Sequence, residues 1–261
     1  MPTATINDIP IRFEDSGGEG PAVLFSHGFM MNHTMFDQQV DALAPDYRCI
    51  RWDERAFGDT PAPGPFTYWD SAADAIGLLD HLGVGSAVLV GMSQGGFLSL
   101  RAALTAPDRV LALVLIDSAA DVDDDETLAG YQGMMHVMGN GSDDELAGLF
   151  EGVAGLILGD DELAAEWIPR WHELDREQLV TAGSALLGRE DLSDRLGEIG
   201  CPILIVHGTA DQAITVDRAE AVCAGVPDCR GVVKVEGAAH APNMTHPDVV
   251  NRPLRAFLDA L

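Results

Sequence analysis

Three residue types in one chain can do acyl-transfer chemistry when a fold brings them together: a serine, a histidine and a carboxylate. A serine hydroxyl is a weak nucleophile until a base removes its proton. The sequence has a candidate serine at Ser93, inside Gly91-Met92-Ser93-Gln94-Gly95. This G-x-S-x-G pattern is common by itself, and its context gives it weight. An apolar run, Ala87–Val90, precedes it and a helical pattern reaching about Ala106 follows it. Glycines at such a strand-to-helix turn let the chain bend sharply and expose the hydroxyl at the end of the sheet. The base is read as His240, which follows the last strand-like run through Gly237-Ala238-Ala239. The acid is read as Asp211, just past Pro202–Val206 and His207-Gly208-Thr209-Ala210. It would hold the imidazole in its productive tautomer. Asp117, at the end of Val110–Ile116, is the rival acid.

The other histidines and the cysteines carry less. His27 and His207 each precede a glycine at a strand end and read as loop organisers. His33, His81, His136 and His172 have no metal-ligand spacing, and HExxH is absent, so no metal is expected. Of the four cysteines, Cys49 and Cys201 lie in or beside apolar runs. All four read as buried reduced thiols, with a Cys223–Cys229 bridge left open. No G-x-G-x-x-G follows the first strand, which argues against nicotinamide or flavin, and no cofactor is expected.

The elements that must position these residues alternate between strand and helix. Thr3–Ile6 and Ile11–Glu14 read as an opening hairpin. Strands are expected at Ala22–Ser26, Arg48–Asp53, Ala87–Val90, Val110–Ile116, Pro202–Val206 and Val232–Val235. Helices are expected at Thr34–Leu43, Tyr68–Leu82, near Asp217–Cys223 and from about Pro247 to Leu261. This is the signature of a mainly parallel sheet wrapped by helices, and the uninterrupted apolar runs suit strands covered on both faces. From 119 to 200 no strong strand appears. The expected organisation is a core of residues 1–118 and 201–261 interrupted by a helical cap over 119–200.

Together these motifs resemble the α/β-hydrolase superfamily, in the branch of enol-lactonases, small esterases and carbon–carbon bond hydrolases. The resemblance spans the whole sheet region. It rests on Ser26-His27-Gly28-Phe29, Asp53-Glu54-Arg55-Ala56-Phe57-Gly58-Asp59-Thr60, the Gly91–Gly96 turn, His207–Asp211 and Gly237–His240 with His246-Pro247. Ala56 stands where such proteins often have Gly, and Thr60 where Ser is usual. The resemblance implies an α/β-hydrolase fold with a mostly parallel eight-stranded sheet and a triad of Ser93, His240 and Asp211. It also implies an oxyanion hole from the backbone N–H groups of Phe29 and Gln94. Dehalogenase and epoxide-hydrolase chemistry is disfavoured, because those enzymes need Asp where Ser93 sits. The expected activity is ester or lactone hydrolysis. Carbon–carbon hydrolysis or perhydrolysis on the same triad, or a slow-turnover receptor for a small ligand, are the alternatives.

Apolar residues near these positions are candidates for a substrate pocket. They are Met30 and Met31 by the oxyanion loop, Met134, Met135 and Met138 on a cap helix, and Trp167 and Trp171 at i, i+4. Core packing is the competing reading for each set. A pocket so built suits a small, uncharged, apolar ester or lactone.

With 42 acids against 15 bases, the 261-residue chain carries a net charge of −27. Phosphate contacts need clustered Lys and Arg, so nucleic acid is not an expected partner, and an anionic membrane is disfavoured for the same reason. Residues 121–200 hold 20 acids and 4 bases, read as a solvated surface. No apolar stretch of about 18 residues and no signal-like start is present, so a cytoplasmic location is expected. Association into a homo-oligomer stays open.

Overall fold

The computed structural model describes residues 2–261. Eight strands form one sheet: β1 Thr3–Ile6, β2 Ile9–Asp15, β3 Ala22–Ser26, β4 Arg48–Trp52, β5 Ala87–Met92, β6 Val110–Ile116, β7 Ile203–Gly208 and β8 Cys229–Val235. Their spatial order is β1-β2-β4-β3-β5-β6-β7-β8. β1 and β2 pair antiparallel, as do β2 and β4, and the remaining pairs are parallel. The hairpin arises where Asn7 and Asp8 take positive φ, a conformation that these two residue types tolerate. The strands β3, β5 and β7 are buried along their whole length, because helices cover both faces of the sheet.

Ten helices surround or leave the sheet: α1 Asp37–Leu43, α2 Tyr68–His81, α3 Gln94–Thr105, α4 Asp125–Asn140, α5 Asp143–Ile157, α6 Asp161–His172, α7 Arg176–Leu187, α8 Val216–Gly225, α9 Pro242–Thr245 and α10 Pro247–Leu258. A 3-10 turn, His33–Phe36, replaces the first turn of the helix expected from Thr34. Asn32 caps it through Thr34 N. β5 runs two residues further than expected, and β8 begins three residues earlier, at Cys229. Cys223 and Cys229 form a disulfide joining α8 to β8, so these two are not reduced thiols. Cys49 and Cys201 are free.

The four helices α4–α7 lie between β6 and β7. Leu192 N donates to Ala120 O at 2.9 Å, so the excursion closes on itself where it leaves and rejoins the sheet. Its acidity has a local cause. Eleven of the region's 20 acids stand at the N-caps or in the first turns of these helices. There they satisfy backbone N–H groups that have no intrahelical acceptor and complement the helix dipole. No helix is long and apolar enough, among the described residues, to cross a membrane.

Candidate active site

Sheet register brings the chemistry to one edge. Ser26 pairs with Gly91, Met92 with Ile116, and Ile116 with Val206, so β3, β5, β6 and β7 end side by side. Ser93 N then donates to Ile116 O at 2.9 Å and Asp117 N to Val206 O at 3.1 Å, placing each just past its strand. The chain departs from β3 to β4 on one side, while β5 flanks it on the other. This is the switch point at which a crevice opens beyond the carboxyl ends of parallel strands.

Ser93 occupies a strained turn, with φ 50° and ψ −114°, between β5 and α3. The turn depends on close backbone approach. A Cβ on Gly91 would run into the Gly95 backbone, and one on Gly95 into the carbonyl of Ser26. Ser118 Oγ donates to Ser93 O at 2.8 Å, bracing the turn from β6. Gln94 is the first residue of α3, so its N–H is one of the donors that a helix start leaves unmatched.

His240, 5% exposed, donates from Nδ1 to Asp211 Oδ2 at 2.7 Å. Asp211 Oδ1 accepts from Ala213 N at 2.8 Å and Ile214 N at 3.1 Å. Burial pushes this carboxyl up, but the His240 charge and the hydrogen bonds outweigh it and hold Asp211 below 3.8. Asp117 is fully buried beside it and accepts from Gly208 N at 3.0 Å. Burial, then the Asp211 charge, push the Asp117 carboxyl well above 3.8. One ligand atom each of Asp117, Asp211 and His240 lie within 4.8 Å of one another, close enough to share a cation. The Nδ1 of His240 is already committed to Asp211.

His27 and His207 are both organisers of loops. His27 donates from Nδ1 to Gly28 O at 2.8 Å and accepts the Glu54 N–H at 2.9 Å, and burial lowers it to about 4. His207 Nε2 donates to Ile214 O at 2.8 Å, closing the loop that carries Asp211. The Asp53–Thr60 loop is held by Asp53, which accepts from His33 and from Asp59 N. Ala56 takes φ 69° there, the region that favours glycine. Thr60 Oγ1 accepts from Arg12 N at 2.9 Å, a bond that Ser could also make.

Ser93 and His240 face one cavity of about 70 Å³, with Phe29, Met30, Phe97, Tyr131, Met134, Leu186 and Ile214 in its walls. Asp123 and Arg189 also line it and pair at 2.5 Å, each 3% exposed in its side chain. A larger cavity of about 570 Å³ adjoins it and shares Asp123, Tyr131, Leu156 and Ala213 with it.

Of the apolar pocket candidates, only Met30 and Met134 line the inner cavity. Met31 is buried in the sheet's core. Met135 fills the space over Gly183 between α4 and α7, and Met138 is fully buried. Trp167 lies in a separate cleft with Thr34, Met35 and Met244. Trp171 stacks edge-on against Phe150 at 5.9 Å. Met135, Met138 and Trp171 are thus used in packing the helical layer, and Trp167 faces the sheet domain away from Ser93. The Gln94 side chain also turns away from the cavity. Its Nε2 donates to Glu54 Oε2 at 2.8 Å, and its Oε1 accepts from the Tyr68 hydroxyl at 3.2 Å.

Sequence reasoning missed Glu54, Tyr131, Asp123, Arg189 and Ile214. Glu54 sits in an Asp-Glu-Arg run that resembles a solvated turn, yet it is 1% exposed. Asp123 hides among the acids of 121–126. Its pairing with Arg189 and Arg218, 66 and 95 residues on, marks it out.

Known proteins of similar sequence share this fold. A family model described as the alpha/beta hydrolase fold matches residues 21–138. 3-Oxoadipate enol-lactonase 2 of Acinetobacter baylyi is 24% identical over 258 residues, covering 98% of this chain and 96% of that enzyme. A thermophilic esterase from Thermogutta terrifontis, solved with malate bound, superposes with a TM-score of 0.88 at 28% identity, covering 99% of this chain and 97% of that one. An enol-lactonase from Burkholderia xenovorans superposes with a TM-score of 0.89 at 24% identity, covering 99% and 100%.

Proposed function

We propose that this chain, similar to α/β-hydrolase-fold enzymes in sequence and structure, is a cofactor-independent serine hydrolase cleaving carboxylic esters or lactones through a covalent acyl-enzyme. Ser93 is the nucleophile, His240 the base and Asp211 the acid that orients it. The observation that carries this is the 2.7 Å bond from His240 Nδ1 to Asp211. It leaves Nε2 as the nitrogen free to act, on a ring that shares a cavity with Ser93.

In the first step Nε2 takes the Ser93 proton as Oγ attacks the substrate carbonyl. Asp211 compensates the imidazolium that forms. The carbonyl oxygen becomes an oxyanion, met by the backbone N–H groups of Gln94 and Phe29. Collapse breaks the ester bond, and the leaving alkoxide takes the proton from His240. In a lactone the leaving group stays attached as the ring opens. Water then repeats the sequence and releases the acid and Ser93.

The helices of 119–200 act as a cap over this chemistry. Tyr131, Met134, Val153, Ile157 and Leu186 come from that segment and wall the inner cavity. Excluding water there strengthens the oxyanion contacts. Asp123 binds both Arg189 and Arg218, each at 2.5 Å, and Arg218 also binds Asp121 at 2.8 Å, so the cluster balances two acids against two bases. The wall therefore favours an uncharged substrate whose reacting group is small.

The test is covalent labelling by a fluorophosphonate probe, with turnover of a panel of p-nitrophenyl esters and lactones. Ser93→Ala should abolish labelling and cost on the order of 10⁴-fold or more in rate. Equal labelling or turnover in the Ser93→Ala protein would remove the assignment.

A further inference from the structure

Two buried carboxyl groups meet behind His240, and only one of them has what an ionised group needs. Asp211 accepts three hydrogen bonds, from Ala213 N and Ile214 N on Oδ1 and from His240 Nδ1 on Oδ2, which leaves an acceptor site on Oδ2. Asp117 Oδ1 accepts from Gly208 N, while its Oδ2 is buried with no hydrogen-bond partner among the described residues. His207 Nε2 lies 3.7 Å from Asp117 and 3.5 Å from Asp211, but its proton goes to Ile214 O. The other groups whose charge bears on this cluster are Tyr131, which feels Asp211, and Asp217, which feels His207. Neither supplies a positive charge.

Two carboxyl groups sharing a buried site resist ionising together, and one retains a proton. The geometry selects which. Asp211 faces the imidazole, and Asp117 faces Asp211 and nothing that would offset its charge. We propose that Asp117 is a neutral acid whose Oδ2–H donates to the Asp211 carboxylate, making it a positioning residue that acts on His240 through Asp211. The acid positions at the ends of β6 and β7 are then not rivals but a pair sharing one proton. The directions in which the two carboxyls shift agree with this: Asp117 is raised by burial and by Asp211, while Asp211 is lowered on balance.

The donated bond draws charge away from Asp211 and weakens its hold on the imidazolium. The inference rests on the assignment of His240 and Asp211 given above, so its readout is one that does not need turnover. The full chain, labelled with ¹⁵N-histidine, is titrated by NMR as wild type, Asp117→Asn and Asp117→Ala. Asn keeps an acceptor for Gly208 N and a donor for Asp211, with no change of charge, so the His240 midpoint should stay where it is in the wild type. Ala removes the donor, and the midpoint should rise by about one pH unit, a tenfold change in proton affinity.

An ionised Asp117 predicts the opposite. Asp117→Asn would then delete a negative charge beside the imidazole, and its midpoint would fall by half a unit or more, which would overturn the proposal. An Ala variant that titrates as the wild type would overturn it too. If Ala does not fold, the Asn variant still decides by the presence or absence of that fall. If the fluorophosphonate labels no variant at Ser93, the nucleophile assignment fails, while the titration continues to report on the carboxyl pair.

Discussion

Glu54→Gln should stabilise the protein, and by an amount that grows with pH. Glu54 is 1% exposed, its Oε2 accepts from Gln94, and its Oε1 is buried with no partner among the described residues. Its neighbour Arg55 is committed to Asp74. Burial first, then the charges of Asp53 and Asp74, push this carboxyl well above 4.5. Above pH 4.5 the unfolded chain has released this proton and the folded chain keeps it. The folded state then binds one proton more, so stability falls as pH rises, by about 1.4 kcal/mol per pH unit. For a domain of this size that slope is roughly 3–5 °C in Tm per pH unit. Gln preserves an acceptor for Gln94 and carries no proton to lose. Thermal unfolding of both proteins should be followed from pH 4 to 7, so that every other titrating group, Asp117 included, cancels in the difference. The gap should be flat below about pH 4.5 and widen above it in favour of the variant. A gap independent of pH, or one that narrows as pH rises, would show that Glu54 is ionised in the folded protein and refute the reasoning.

Ala56→Gly should raise stability by about 0.5–1 kcal/mol, because relief of a left-handed Ala outweighs the added freedom of the unfolded chain; chemical denaturation measures this. Met138→Ala should cost about 2–5 kcal/mol and leave the substrate profile intact, whereas Met134→Ala should alter acyl or ring-size preference. A panel of ester chain lengths on variants verified as folded separates the two. Reduction of Cys223–Cys229 should lower unfolding free energy by about 2 kcal/mol, the entropy of a seven-residue loop, read from urea melts with and without reductant. Prolonged treatment with EDTA should leave ester turnover unchanged, and a loss restored by a divalent ion would place a cation among Asp117, Asp211 and His240.

The parts of the fold that were legible in the sequence were those written in local pattern. Ala22–Ser26 and Val110–Ile116 are unbroken apolar runs, and Ser93 sits where one such run gives way to a helix. The residues placed together in the candidate site, Ser93, Asp211 and His240, were legible because each follows a strand at the same edge of the sheet. What failed was the facing of the helices between β6 and β7. Met134 and Met135 are adjacent, and their burial against Tyr131 or Gly183 depends on a crossing of α4 and α7 that no sequence spacing specifies. Glu54 was invisible for a different reason. A glutamate between Asp53 and Arg55 looks solvated, and only the arrival of Gln94 and Tyr68 from elsewhere in the chain explains it. The disulfide needed α8 and β8 to be placed before Cys223 and Cys229 could be seen to meet.

The hydrogen bond from Leu192 N to Ala120 O has an evolutionary consequence. An excursion whose two stems touch can be cut out, lengthened or exchanged between proteins without re-threading any strand, since a short turn could close the same gap. Such an exchange replaces Tyr131, Met134, Val153, Ile157 and Leu186 in the cavity wall and leaves Ser93 and His240 where they are. A chimera carrying residues 121–191 from a relative of different preference should fold on this sheet and take its diet from the donor.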